Sequence, residues 1–146
     1  MISLHPPLSG LPFSFVLLLV GVECARLRGA WRDRLAPFVS PLIIVTVLST
    51  ICTFLSGYQA SSSLTDLAPA VEAELGTHHA VGRLLVINAI IMVSFFRVSK
   101  TATHGRQLLR ALYFLTLAIQ FVLTIWVGYM GGELVFGRGL GVTIRP

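Results

Sequence analysis

Charge is scarce in this chain. Only 12% of its 146 residues are Asp, Glu, Lys or Arg, about half the ~25% of a soluble domain. A chain so poor in charge cannot clothe a globule in hydrated side chains, so most of its surface must face something apolar. Acids are the scarcer sign, six against eleven bases, for a net charge of +5. In a soluble protein that excess would suggest nucleic acid. Here the bases gather beside apolar runs, so they read as membrane topology, and no nucleic-acid partner is expected. Cysteine is limited to Cys24 and Cys52. Neither has a CxxC neighbour, so no disulfide frame or zinc site is indicated. Each reads as a small apolar core residue. Nucleophile–base and metal-ligand spacings are missing too, so neither catalysis of its own nor a metal site is expected.

What the chain does have is four long apolar runs, each near the ~20 residues that a bilayer requires. They place spans at roughly 11–26, 42–60, 79–96 and 108–131, the second starting after Pro41 at a natural first-turn position. The first run lacks a basic start and a small-residue cleavage site, and arginines follow it, so it reads as a mature span. The expected fold is all-α, an integral membrane four-helix bundle forming a single domain over 1–146. Between runs two and three, Ser61 to His78 reads as a loop, with a short surface helix from Pro69 to Leu75.

The connections differ in sign. Arg26, Arg28, Arg32 and Arg34 follow the first run. Arg97, Lys100, Arg106 and Arg110 lie between the third and fourth, with His104. The second connection carries Asp66, Glu72 and Glu74 and no base. Eight of the eleven bases thus lie on one side, which the positive-inside rule makes cytoplasmic. Both termini then face outward.

Polar residues inside the runs are few enough to pair by eye. Asn88 and Gln120 fall at similar depth on the third and fourth spans, and a direct amide bond between them would satisfy both. Ser49, Thr50, Thr53 and Ser56 can bond back to their own helix. Glu23 and Arg26 are three apart and should pair on one face. Gly128 and Gly132 form a GxxxG pair suited to close helix packing.

The outer end gathers His5, Gln59, His78, His79, Arg83, Tyr129 and Glu133, with Arg138 beyond. Arg83 sits about a turn inside the third span and should turn inward or snorkel; Glu133 is its natural partner. His5 and His79 are the best-placed pair for a haem iron, with His78 as a spare. Against that stands the plainer reading, histidines that hydrogen-bond to lipid head groups or loop backbone.

His5-Pro6 with Leu8 and Pro12, His79-Ala80, and the ending Gly128-Tyr-Met-Gly-Gly-Glu133-Leu-Val followed by Gly-Arg-Gly-Leu-Gly-Val142 together form a pattern. It resembles the bacterial membrane family catalogued as domain of unknown function 2231, over nearly the whole chain. The resemblance implies a four-span bundle, a place near electron transfer (some members are joined to Rieske-type domains), and a distant likeness to membrane b-type cytochromes. The family usually carries a second histidine five residues after the first, before a Phe-Pro pair. This chain has Gly10, Leu11 and Pro12 there. His104 stands alone on the inner side, so a two-haem arrangement is not expected.

These readings converge on a small multi-pass subunit of a larger, redox-linked complex in the bacterial inner membrane, with other membrane subunits and the lipid bilayer as partners. The first alternative is a single-haem b-type cytochrome, haem b being held by His5 and His79. The second is a small transporter, with Asn88, Gln120 and Arg83 facing a pathway.

Overall fold

The structure is a computed structural model and describes residues 5–140. Four long helices account for most of it: α1 His5–Arg26, α2 Arg32–Ser61, α3 Pro69–Thr101 and α4 Arg106–Gly132. All four are long and apolar enough to cross a membrane. A single 3₁₀ turn, Gly29–Trp31, joins α1 to α2. Wide π-type turns, Glu133–Gly137, extend α4. Gly141 and Val142, which close the tail motif, lie outside the described residues.

Every helix outruns the span read from its apolar core. α1 already includes His5, six residues ahead of the apolar run that begins at Leu11. α2 starts at Arg32 rather than after Pro41, so Pro37 and Pro41 lie inside the helix. The two prolines are four residues apart, and both are exposed. The carbonyls of Asp33 and Pro37, which lose their helical donors, therefore sit on an outward face. In α3 the expected surface helix and the third span are one continuous helix of 33 residues, about 50 Å at 1.5 Å per residue. Pro69 opens it, and the Thr77 hydroxyl donates to the Ala73 carbonyl across the Gly76 region that was read as loop. At ~30 Å of hydrocarbon, part of α3 must project beyond the apolar zone. The remaining α2–α3 connection is short and turns at Asp66, in the left-handed region at φ 56°, a conformation Asp tolerates better than most residues.

The helices pack as a ring. α1 lies against α2 and α4, and α3 against α2 and α4. Among the described residues no Cα atoms approach within 8 Å across the diagonals. Side-chain contacts fix the alternating direction: His5 at the start of α1 meets Thr53 and Ser56 near the end of α2, while Glu23 near the end of α1 meets Tyr113 near the start of α4. The bundle is thin. In each apolar window only 22–39% of residues are buried, so most of each window faces outward.

Along its axis the interior divides into three layers. At the arginine-rich end Leu19, Val39, Ile43, Met92, Phe96 and Leu117 pack together with Tyr113. The middle is polar: Thr46, Thr50, Asn88, Thr116, Gln120 and Thr124 are all buried. Thr46, Thr50, Thr116 and Thr124 each donate to a carbonyl of their own helix, which makes a hydroxyl cheap away from water. The third layer, at the opposite end, holds the histidines.

Candidate functional site

The histidine end is built around a consequence of Pro12. Pro12 is buried within α1 and has no N–H to offer the Leu8 carbonyl one turn back. The Thr53 hydroxyl of α2 fills that vacancy, donating to Leu8 O at 3.0 Å. This bond fastens the first turns of α1 to α2 and sets the height of His5. The His5 ring lies over Gly57, where an added Cβ would come within 2.8 Å of Cε1. Any larger residue there would force the imidazole to shift. Nδ1 of His5 is 3.2 Å from both the Thr53 carbonyl and Ser56 Oγ. The Ser56 hydroxyl already donates to that same carbonyl at 2.9 Å. The network therefore assigns Nδ1 as the protonated nitrogen and leaves the lone pair on Nε2. Burial lowers the His5 pKa below its ordinary value of 6.5, and the bond to Thr53 only partly opposes this.

Across the bundle, α3 brings His78 and His79 to the same end, with ring centroids 6.2 Å apart. Both lie within electrostatic reach of His5. Their roles differ from the sequence expectation. His78, the spare, turns towards α4 and packs on Gly131, whose added Cβ would lie 3.3 Å from its Cε1. Its Nδ1 is sealed from solvent and makes no hydrogen bond. His79 instead lies beside Tyr58 of α2, with centroids 5.9 Å apart.

The expected ion pair is replaced by another. Arg83 and Glu133 are both exposed, and no ion pair joins them among the described residues. Arg83 thus takes an outward course from its helix and does not face the interior. The tail base Arg138 goes to Glu74 on the extended start of α3, through two hydrogen bonds of 3.0 and 2.5 Å. Glu74 precedes His78 by one turn, so this fork ties the tail to α3 just beyond the His78–Gly131 contact. The extra turns of α3 made Glu74 available, and reading 61–78 as a loop hid it. The tail reaches Glu74 through its wide turns, with Arg138 N bonding back to Glu133 O, and Gly139 bends away at φ 69°. Within the GxxxG pair, an added Cβ at Gly128 or Gly132 meets no atom of another described segment within 4 Å. Gly131 between them is the glycine that packs internally.

Two polar pairings form as the sequence suggested. Asn88 Nδ2 donates to Gln120 Oε1 at 2.8 Å and to the Thr116 carbonyl at 2.9 Å. Gln120 is fully buried, and its Nε2 lacks an acceptor. Glu23 pairs with Arg26 at 2.7 Å. It is also the acceptor for the Tyr113 hydroxyl at 2.9 Å, a partner the sequence did not single out. A tyrosine two turns inside α4, at the depth of an acid on α1, was the available signal.

No group of three or more potential metal ligands lies together among the described residues. No family model, curated protein or solved structure matches the chain. Its function has to be read from its own geometry.

Proposed function

We propose that this chain is a multi-pass subunit of a larger membrane complex, held there by helix packing, with no catalysis of its own. The observation that carries this reading is the outward face of α4. Ile125, Gly128 and Gly132 follow one another at spacings of three and four residues, Ile125 is exposed, and among the described residues nothing fills the space beside the two glycines. Small residues on a lipid-side face let a second backbone approach closely, which is how membrane helices associate when hydrophobicity offers no preference for protein over lipid. Co-purification in mild detergent tests the proposal. A chain that always runs as a lone monomer contradicts it.

In this reading the arginine-rich end is cytoplasmic and the histidine end faces the periplasm of a bacterial inner membrane. A cysteine placed at Ser63, with Cys24 and Cys52 replaced by serine, should react with a membrane-impermeant maleimide from outside. Labelling only after the inner face is opened would reverse the topology. The redox assignment of the complex rests on the resemblance of the tail and His5 motifs to domain of unknown function 2231.

His5 supports a second reading, a single-haem b-type cytochrome. Metal-ligating histidines commonly donate their other ring N–H to a backbone carbonyl, and His5 does this to Thr53 while keeping a lone pair on Nε2. His79 would be the second ligand. Haem would supply one-electron transfer, and this chain would supply imidazole ligands held in a fixed tautomer. An absorption spectrum after expression with haem supply decides it. A missing Soret band sinks the cytochrome reading and leaves the subunit reading standing, and an intact band in His79→Ala rules out His79 as the second ligand.

A further inference from the structure

At the end opposite the histidines, α1, α2, α3 and α4 surround a cavity of about 370 Å³, a size at the small end of ligand pockets. Five bases line it: Arg26, Arg32, Lys100, Arg106 and Arg110. The two acids on its wall are Glu23 and Asp33. Glu23 is already taken up by Arg26 and the Tyr113 hydroxyl. Counted by side chain, five positive charges meet two negative ones in one recess.

Four of the five bases have side chains held in place. Arg26 is fixed by the buried Glu23 carboxylate, while its Nε reaches the Arg32 carbonyl at 3.4 Å. Lys100 Nζ lies 4.6 Å from the centre of the Phe96 ring, and the Arg110 guanidinium 5.8 Å from that of Phe114. Arg106 Nε donates to the Ala102 carbonyl at 3.1 Å. Apolar stems and rings thus support the charged heads at the rim of the cavity, which reduces the ordering a ligand would have to impose. A topological signal alone would be met by bases outside any shared recess, as Arg28, Arg34 and Arg97 are. Five bases converging on one recess from all four helices is a different arrangement.

The geometry points to a binding site for a phosphate group in this cavity, either the phosphate of an anionic phospholipid or a soluble phosphate. Arginine forks and a lysine match phosphate oxygens. Basic recesses between membrane helices on the cytoplasmic side are suited to anionic head groups. The inference does not depend on the subunit or haem readings, since it concerns the other end of the bundle.

The test uses the full chain in mild detergent. One arm measures retention of phosphatidylglycerol against phosphatidylcholine by native mass spectrometry. The other measures binding of inorganic phosphate by calorimetry. Lys100→Gln and Arg110→Gln should each weaken binding on the order of five- to tenfold. Arg28→Gln and Arg97→Gln remove the same charge outside the cavity and should leave it nearly unchanged. Binding in the lipid arm alone identifies a head group, and binding in the phosphate arm alone identifies a soluble ligand. Two results would overturn the site: no binding in either arm, or equal losses in cavity and control variants of unchanged thermal stability.

Discussion

The Thr53 hydroxyl of α2 donates to the Leu8 carbonyl of α1, the carbonyl that Pro12 leaves without its helical partner. A proline inside a membrane helix is tolerated when a neighbour satisfies the freed group, and here the neighbour also orients the first histidine. Thr53→Val should therefore destabilise the bundle by about 1 kcal/mol, the net worth of a typical hydrogen bond. In a Pro12→Ala background the backbone N–H returns, and the same change should cost much less. Thermal unfolding of the four proteins completes this cycle; equal costs in both backgrounds would disconnect Thr53 from Pro12.

Gly57 and Gly128 should separate cleanly. An alanine at 57 meets the His5 ring, whereas one at 128 meets nothing among the described residues. Gly57→Ala is expected to cost about 1–3 kcal/mol, the range for overpacking, and to displace the His5 imidazole resonance. Gly128→Ala should leave the fold and that resonance unchanged.

The pH dependence of His5 has a definite sign. Its pKa in the fold lies below 6.5 because burial disfavours the charged ring. The unfolded chain then takes up the proton first, so stability is full above about pH 6.5 and falls as the pH drops below it. His78 and His79 face His5 from α3 and are the titratable neighbours. A His5→Gln variant keeps both, so the difference between the two melting curves isolates His5. The wild type should lose more stability than the variant between pH 7 and pH 5; parallel curves would contradict the buried, neutral His5.

Asn88 and Gln120 should behave as a unit. Asn88→Leu alone strands the buried Gln120 amide and should cost about 1–3 kcal/mol. Adding Gln120→Leu removes the stranded group, so the double variant should be no worse than the single one. Additive losses would mean that the two amides serve separate partners.

The ease of reading this sequence depended on how far each interaction is local. Four spans, the Glu23–Arg26 pair and the depth match of Asn88 with Gln120 follow from run length and spacing, which one chain carries in full. Rotation of the helices does not. In a bundle whose outer surface is as apolar as its core, little amphipathic contrast tells which side of a helix faces in. That is why spacing alone pairs Arg83 with Glu133, a contact absent among the described residues. Helix ends were short for a related reason: polar turns such as Glu72 to His78 continue α3 but look like loop when only hydrophobicity is followed. Bonds made by backbone carbonyls, such as Leu8 O to Thr53, have no side-chain signature at the accepting end.

The subunit assignment rests on the open notch at Gly128 and Gly132, and one measurement addresses it most directly. The size of the complex can be compared in mild detergent extracts of native membranes for the wild type and for Gly128→Leu, whose added Cβ meets no atom of the described residues. The account predicts that the wild type migrates in an assembly larger than one chain and that Gly128→Leu is released from it as a folded monomer. A wild-type protein of monomer size, or an assembly unaffected by Gly128→Leu, would contradict it.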